Sequence, residues 1–97
     1  MAKLKTTRWD IREHLDSPER IAGYLEAAFE DGDPTLIAAA IGDVARAMGM
    51  SRIARDAGLG RESLYKSLSA DGNPAFATVL EVLRALGLEL RAVPVGR

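Results

Sequence analysis

The stretch Met50–Ser69, MSRIARDAGLGRESLYKSLS, limits what this chain can fold into more than any other part of it. Ser51 is an N-cap candidate, because its hydroxyl can accept from an unpaired amide of a first helical turn. Ile53, Ala54 and Ala57 then fall on one helical face. Gly58 follows where that helix must stop and the backbone needs positive φ. Leu59 is an apolar plug in the turn, and Arg61 starts a second helix. Leu64 and Leu68 share one face of it, while Arg61, Glu62, Ser63, Tyr65 and Lys66 spread over the others. The small Ala54, four positions before the turn glycine, lets the two helices cross closely. The pattern predicts a helix-turn-helix over residues 51–69, with a polar second helix free to enter a DNA major groove.

Charge supports that expectation by its distribution rather than its sum. The formal net charge is −1, whereas many dedicated DNA-binding domains are strongly basic. Residues 1–47 hold 6 Lys and Arg against 9 Asp and Glu, and residues 48–97 hold 7 against 5. The first half is therefore acidic and the second basic. Within Ser51–Ala70 the basic residues are Arg52, Arg55, Arg61 and Lys66, and the acidic ones are Asp56 and Glu62. A unit with so small an excess binds a duplex weakly and in a salt-sensitive way, so a homodimer is expected.

The rest of the chain reads as helical. Residues 1–17 form an arm with Trp9, Ile11 and Leu15 as candidate anchors. Ser17-Pro18-Glu19 is a helix start, with proline at the first helical position, where its missing amide costs nothing. The helix to about Glu30 is expected to bury Ile21, Leu25 and Phe29 at i, i+4 and i+8, with Tyr24 and Ala28 beside them. Asp31-Gly32-Asp33-Pro34 ends it and caps a second helix, about Pro34–Met48, carrying Leu36, Ile37, Ala40, Ile41, Val44 and Met48. Gly49 stops that helix. After the helix-turn-helix, residues 70–74 form a loop, and a fifth helix over about 75–86 presents Phe76, Val79, Leu80, Leu83 and Leu86. Gly87 ends it. Residues 88–95, LELRAVPV, begin with apolar–polar alternation and are expected to form a short terminal β-strand. Such a strand needs a partner for its backbone groups, supplied by a symmetry mate or another chain. The expected fold class is all-α, about five helices in one domain over residues 1–97, with this C-terminal strand.

Several functions are excluded or disfavoured. No apolar run approaches the roughly 20 residues needed to cross a bilayer. The residues from Met1 to Thr7 hold no apolar signal-peptide core. The chain has no cysteine, so disulfide and thiolate-metal frameworks are out and a cytoplasmic location is expected. His14 is the only histidine and reads as a surface residue of the arm. Asp31, Asp33 and Asp43 invite a metal site, but Asp31 and Asp33 read better as caps around a turn, and the rest of a calcium loop is missing. No serine–histidine–acid set, phosphate-binding glycine loop or metal cluster can be nominated, so no enzymatic activity, catalytic residue, metal or cofactor is expected.

From Gly32 to Leu90, and above all over GMSRIARDAGLGRESLYKSLSADGNPAFATVLEVLRALGLEL from Gly49, the chain resembles the addiction-module antidote family of bacterial and prophage genomes. These are small Xre-like helix-turn-helix antitoxins encoded beside a RelE-like or HigB-like toxin. The likeness extends upstream through Leu15-Asp16-Ser17. Arg61-Glu62-Ser63-Leu64-Tyr65-Lys66 and Gly72-Asn73-Pro74 are its more specific elements. The resemblance implies a lambda-repressor-like domain that binds double-stranded operator DNA as a homodimer, represses its own operon and neutralises its toxin. A prophage-type repressor without a toxin partner is the alternative, and a small basic reading frame beside this one would favour the antitoxin.

Roles carry over by position. Ser51 and Arg52 match the start of the supporting helix, which in such folds lies against the DNA backbone. Arg61, Glu62, Ser63 and Lys66 match the exposed part of the recognition helix. Arg61 and Lys66 can meet guanine edges or phosphates. Glu62 can accept from a cytosine amine, although an i,i+4 pair with Lys66 is its commoner role. Tyr65 suits a phosphate or a sugar, and Asn73 the backbone. Gly60 departs from the serine that commonly caps related recognition helices, which removes one hydroxyl. Because such toxins act on RNA and present cationic surfaces, the acids Asp10, Glu13, Asp16, Glu19, Glu26 and Glu30 point to the arm and first helix as the toxin-binding region. Solvated helix faces and caps are the equally available role for these acids.

Overall fold

A computed structural model describes residues 15–69 and 71–95. Five helices are present among them: α1 (Pro18–Asp31), α2 (Pro34–Met48), α3 (Met50–Ala57), α4 (Arg61–Ser67) and α5 (Phe76–Ala85). The expected arm residues Trp9, Asp10, Ile11, Glu13 and His14 lie outside the described part. Leu15, the anchor that lies inside it, is buried in the core.

Local chemistry accounts for most helix ends. The Ser17 hydroxyl accepts from the Arg20 amide at 3.2 Å, and Pro18 occupies the first turn of α1. Asp33 does the same for α2, its carboxylate accepting from the Thr35 amide at 3.0 Å. Helix α3 differs from expectation. It begins one residue early, at Met50, with Gly49 at φ 107° as its N-cap and no side-chain cap bond. Ser51 is therefore inside the first turn, because Gly49 both ends α2 and starts α3. The end of α3 is a Schellman closure: Gly58, at φ 73°, donates to the Arg55 carbonyl and Leu59 donates to the Ala54 carbonyl.

The core is apolar throughout the described residues, with no buried polar or charged side chain. Leu25 from α1, Ile41 and Val44 from α2, Ile53 from α3, Leu64 and Leu68 from α4 and its cap, and Val82 and Leu83 from α5 fill its centre. Helix α1 packs on α2, and α3 packs on α2, α4 and α5. Close approach of α2 to the end of α4 depends on Gly42. A Cβ there would stand 2.6 Å from the Leu68 carbonyl oxygen and 3.1 Å from its Cβ.

Two further expectations fail. The β-strand over residues 88–95 is absent, and no strand occurs among the described residues. Helix closure takes the first of its amides: Gly87, at φ 85°, and Leu88 donate back to Arg84 and Leu83 in a second Schellman closure. Among the described residues the rest of the segment meets no edge to pair with, and Val93 and Val95 are exposed. The second failure concerns side chains expected on buried faces. Phe29 and Leu36 are exposed, and Phe76 is 66% exposed at the first turn of α5.

Tyr24 on α1 links the fold to pH. Its partial burial pushes the phenol pKa above its usual value, and the Asp43 carboxylate adds to the effect. A raised pKa in the folded state leaves stability intact below the unfolded value of about 10 and removes it as pH climbs through the folded value. Urea unfolding at about pH 8.5 and about pH 11 should therefore show a loss on the alkaline side, smaller in Tyr24→Phe. An equal loss in both proteins would assign the alkaline effect to other groups.

Candidate nucleic-acid interface

Helices α3 and α4 are joined by Gly58-Leu59-Gly60 alone, so their relative placement is tightly held. Leu59 packs partly buried against the core, filling the angle of the turn. Helix α4 has seven residues, far too few to persist in isolation. It is held by Leu64 and by Leu68 at its C-cap, both fully buried. That inward pair fixes the outward face. Arg61, Glu62, Ser63, Tyr65 and Lys66 are all exposed, as the sequence predicts.

Two of them are organised together. The Arg61 guanidinium lies over the Tyr65 ring, 5.3 Å from its centroid. At an exposed site such a contact contributes about 0.5–1 kcal/mol and restricts the arginine's rotamers. The Glu62–Lys66 pair does not form: the ion pairs among the described residues are Asp16–Arg20, Asp43–Arg46, Asp56–Arg55, Glu81–Arg84 and Glu89–Arg91. The neighbouring i,i+4 pair, Arg61 and Tyr65, is the one that meets. Gly60 caps α4 with extended backbone and no side-chain bond.

On α3, Ser51 and Arg52 are exposed at the start of the helix. Arg55 belongs with them although the sequence reasoning left it out. It is three residues on from Arg52, the spacing that places side chains on one helical face, and it too is exposed. Among the described residues its ion pair is a long one, 3.9 Å to the neighbouring Asp56. Asn73 is set apart from this group. It lies in the loop after α4 and lines an apolar cleft whose other walls come from α1, α2 and α5. That cleft was not foreseen, since its signal is the exposure of Phe29 and Phe76 and not any motif.

Among the described residues, no group of three His, Asp or Glu is placed to hold a metal ion, and no helix is long and apolar enough to cross a membrane. Asp33 caps α2 and Asp43 pairs with Arg46 at 2.9 Å, which accounts for two of the acids that might suggest a metal.

Comparison with known proteins bears on most of the chain. Residues 5–94 match the family model described as "Probable addiction module antidote protein". A protein of Haemophilus influenzae, itself named only as uncharacterized, is 52% identical over 83 residues, covering 86% of each chain. No solved structure matches.

Proposed function

The chain belongs to the probable addiction module antidote family, and from that premise we propose that it is a DNA-binding antitoxin. In this proposal α3 and α4 form the helix-turn-helix of a lambda-repressor-like, Xre-type domain. Two copies bind a roughly palindromic operator in the protein's own promoter, one recognition helix per half-site, about one turn of DNA apart. The same chain neutralises a RelE/HigB-like toxin encoded beside it, in the cytoplasm, and no catalysis is assigned to it.

The observation that carries the DNA reading is the outward face of α4. A short helix locked by two buried leucines presents Arg61, braced over Tyr65, with Ser63 and Lys66 in the open. Arginine can meet guanine in a bidentate way, and its braced side chain loses less freedom on doing so. Arg52 and Arg55, one turn apart on α3, suit the phosphate backbone and register the reading helix against it.

Anisotropy titrations with the upstream promoter test this. Arg61→Ala should cost roughly 1–3 kcal/mol and relax preference at one base position. Arg52→Ala should weaken all sequences alike and reduce the salt slope by about one. If the promoter binds both variants as tightly as the parent chain, α3 and α4 do not form the DNA surface.

A further inference from the structure

A cleft of about 520 Å³ lies between the end of α1, the first half of α2, the loop at residues 72–74, helix α5 and the segment after it at Leu90. Phe29, Ile37, Phe76, Val79, Leu83 and Leu90 supply its walls. Phe29, Phe76 and Leu90 are themselves exposed. Large apolar side chains gathered on one face of a small domain mark a surface meant to be covered.

Charge indicates what covers it. From Ile21 to Ala45, the segment that includes the α1 and α2 walls, the chain carries Glu26, Glu30, Asp31, Asp33 and Asp43 and no basic residue. All five are exposed. Asp43 is paired with Arg46, but Glu26, Glu30, Asp31 and Asp33 have no basic partner among the described residues. An apolar cleft beside uncompensated carboxylates suits a cationic partner. A second copy of this chain would bring one acidic segment against another, and like charges across an interface oppose association. No residue of α3 or α4 lines the cleft, so its occupant and a duplex on the α4 face do not compete for the same side chains.

We propose that this cleft seats a positively charged protein partner, which inserts apolar side chains between Phe29 and Phe76 while its basic residues meet the carboxylates of Glu26–Asp33. The proposal rests on the antitoxin reading, under which the partner is the toxin. It moves the toxin's main seat from the N-terminal arm to the cleft, keeping the end of α1 as the shared part.

The test uses the full chain and, as probe, the purified polypeptide encoded by the reading frame beside it. Phe76→Ala and Phe76→Asp remove a side chain that is mostly in solvent, so both should melt like the parent. Each should weaken binding to the polypeptide by roughly 30-fold or more, as expected for an aromatic anchor. Glu30→Lys should slow association and flatten its salt dependence. Operator binding by all three should stay at the parent level. If the parent binds the polypeptide and the Phe76 variants bind it equally well, the cleft proposal falls and the antitoxin reading stands. If the parent itself does not bind the polypeptide, both fall. If Phe76→Asp instead turns a dimer into a monomer with partner affinity retained, the cleft is covered by a second copy and the proposal is overturned.

Discussion

Leu64→Ala is expected to destabilise the fold by about 2–5 kcal/mol, the range for truncating a fully buried leucine. Leu64 is the buried residue within α4 itself, with Leu68 following as its cap. Removing three carbons there leaves a cavity between α4 and its neighbours and loosens the one helix least able to exist alone. A domain of this size has about 5–15 kcal/mol in total, so the loss is a large share. Thermal melts should drop by about 10 °C or more, because each kcal/mol shifts the midpoint by about 4–8 °C in a domain of this size. If α4 is the proposed reading helix, promoter binding should weaken with it, although Leu64 faces the core. Unchanged melting would mean that α4 is not docked through Leu64.

The second large effect belongs to Gly42. The two methyls and Cβ of Gly42→Val must occupy space that the Leu68 carbonyl oxygen already fills at 2.6 Å. The obstacle is backbone, so no rotamer change relieves it. Helix α2 and the end of α4 must separate, at an expected cost of about 3 kcal/mol, the upper part of the usual overpacking range. Valine returns only a few tenths of a kcal/mol in helix propensity relative to glycine. Gly42→Ala should fall between the two proteins, since its clash is smaller and its propensity gain is about 1 kcal/mol. Denaturant unfolding of the three proteins checks the order. Valine at the parent's stability would rule out the close approach of α2 to α4.

What the sequence made legible was whatever is decided within a few residues. Ser17 and Asp33 cap because a short polar side chain reaches an amide two or three positions on. Gly32, Gly49, Gly58 and Gly87 end helices at positive φ, and the buried positions of α3 and α4 follow the 3.6-residue period. Features that depend on a distant neighbour were not legible. Apolar spacing placed Phe29 and Phe76 on inward faces, but spacing does not say whether another element extends far enough to cover them. Alternation in residues 88–91 resembled a strand, yet alternation supplies no second edge, and the Leu88 amide was already committed to closing α5. For Glu62 the spacing allowed an ion pair with Lys66, and an exposed pair is worth too little to enforce it. The candidate site was legible as a list of side chains on α3 and α4. Its bracing by Tyr65, the addition of Arg55 and the separate position of Asn73 needed the fold.

Helix α3 has eight residues and touches α2, α4 and α5. A segment that short cannot remain helical once its neighbours leave, and α4 and α5 each lose a principal support if it melts. The surface proposed for DNA and the cleft proposed for a protein partner therefore both lose support when α3 melts. A ligand on either surface holds the other in shape, since binding the native state alone contributes about 2.7 kcal/mol at a hundred times its dissociation constant. If both proposals hold, the unaccompanied chain is expected to be the form most open to proteases, and its lifetime to report how much partner is present.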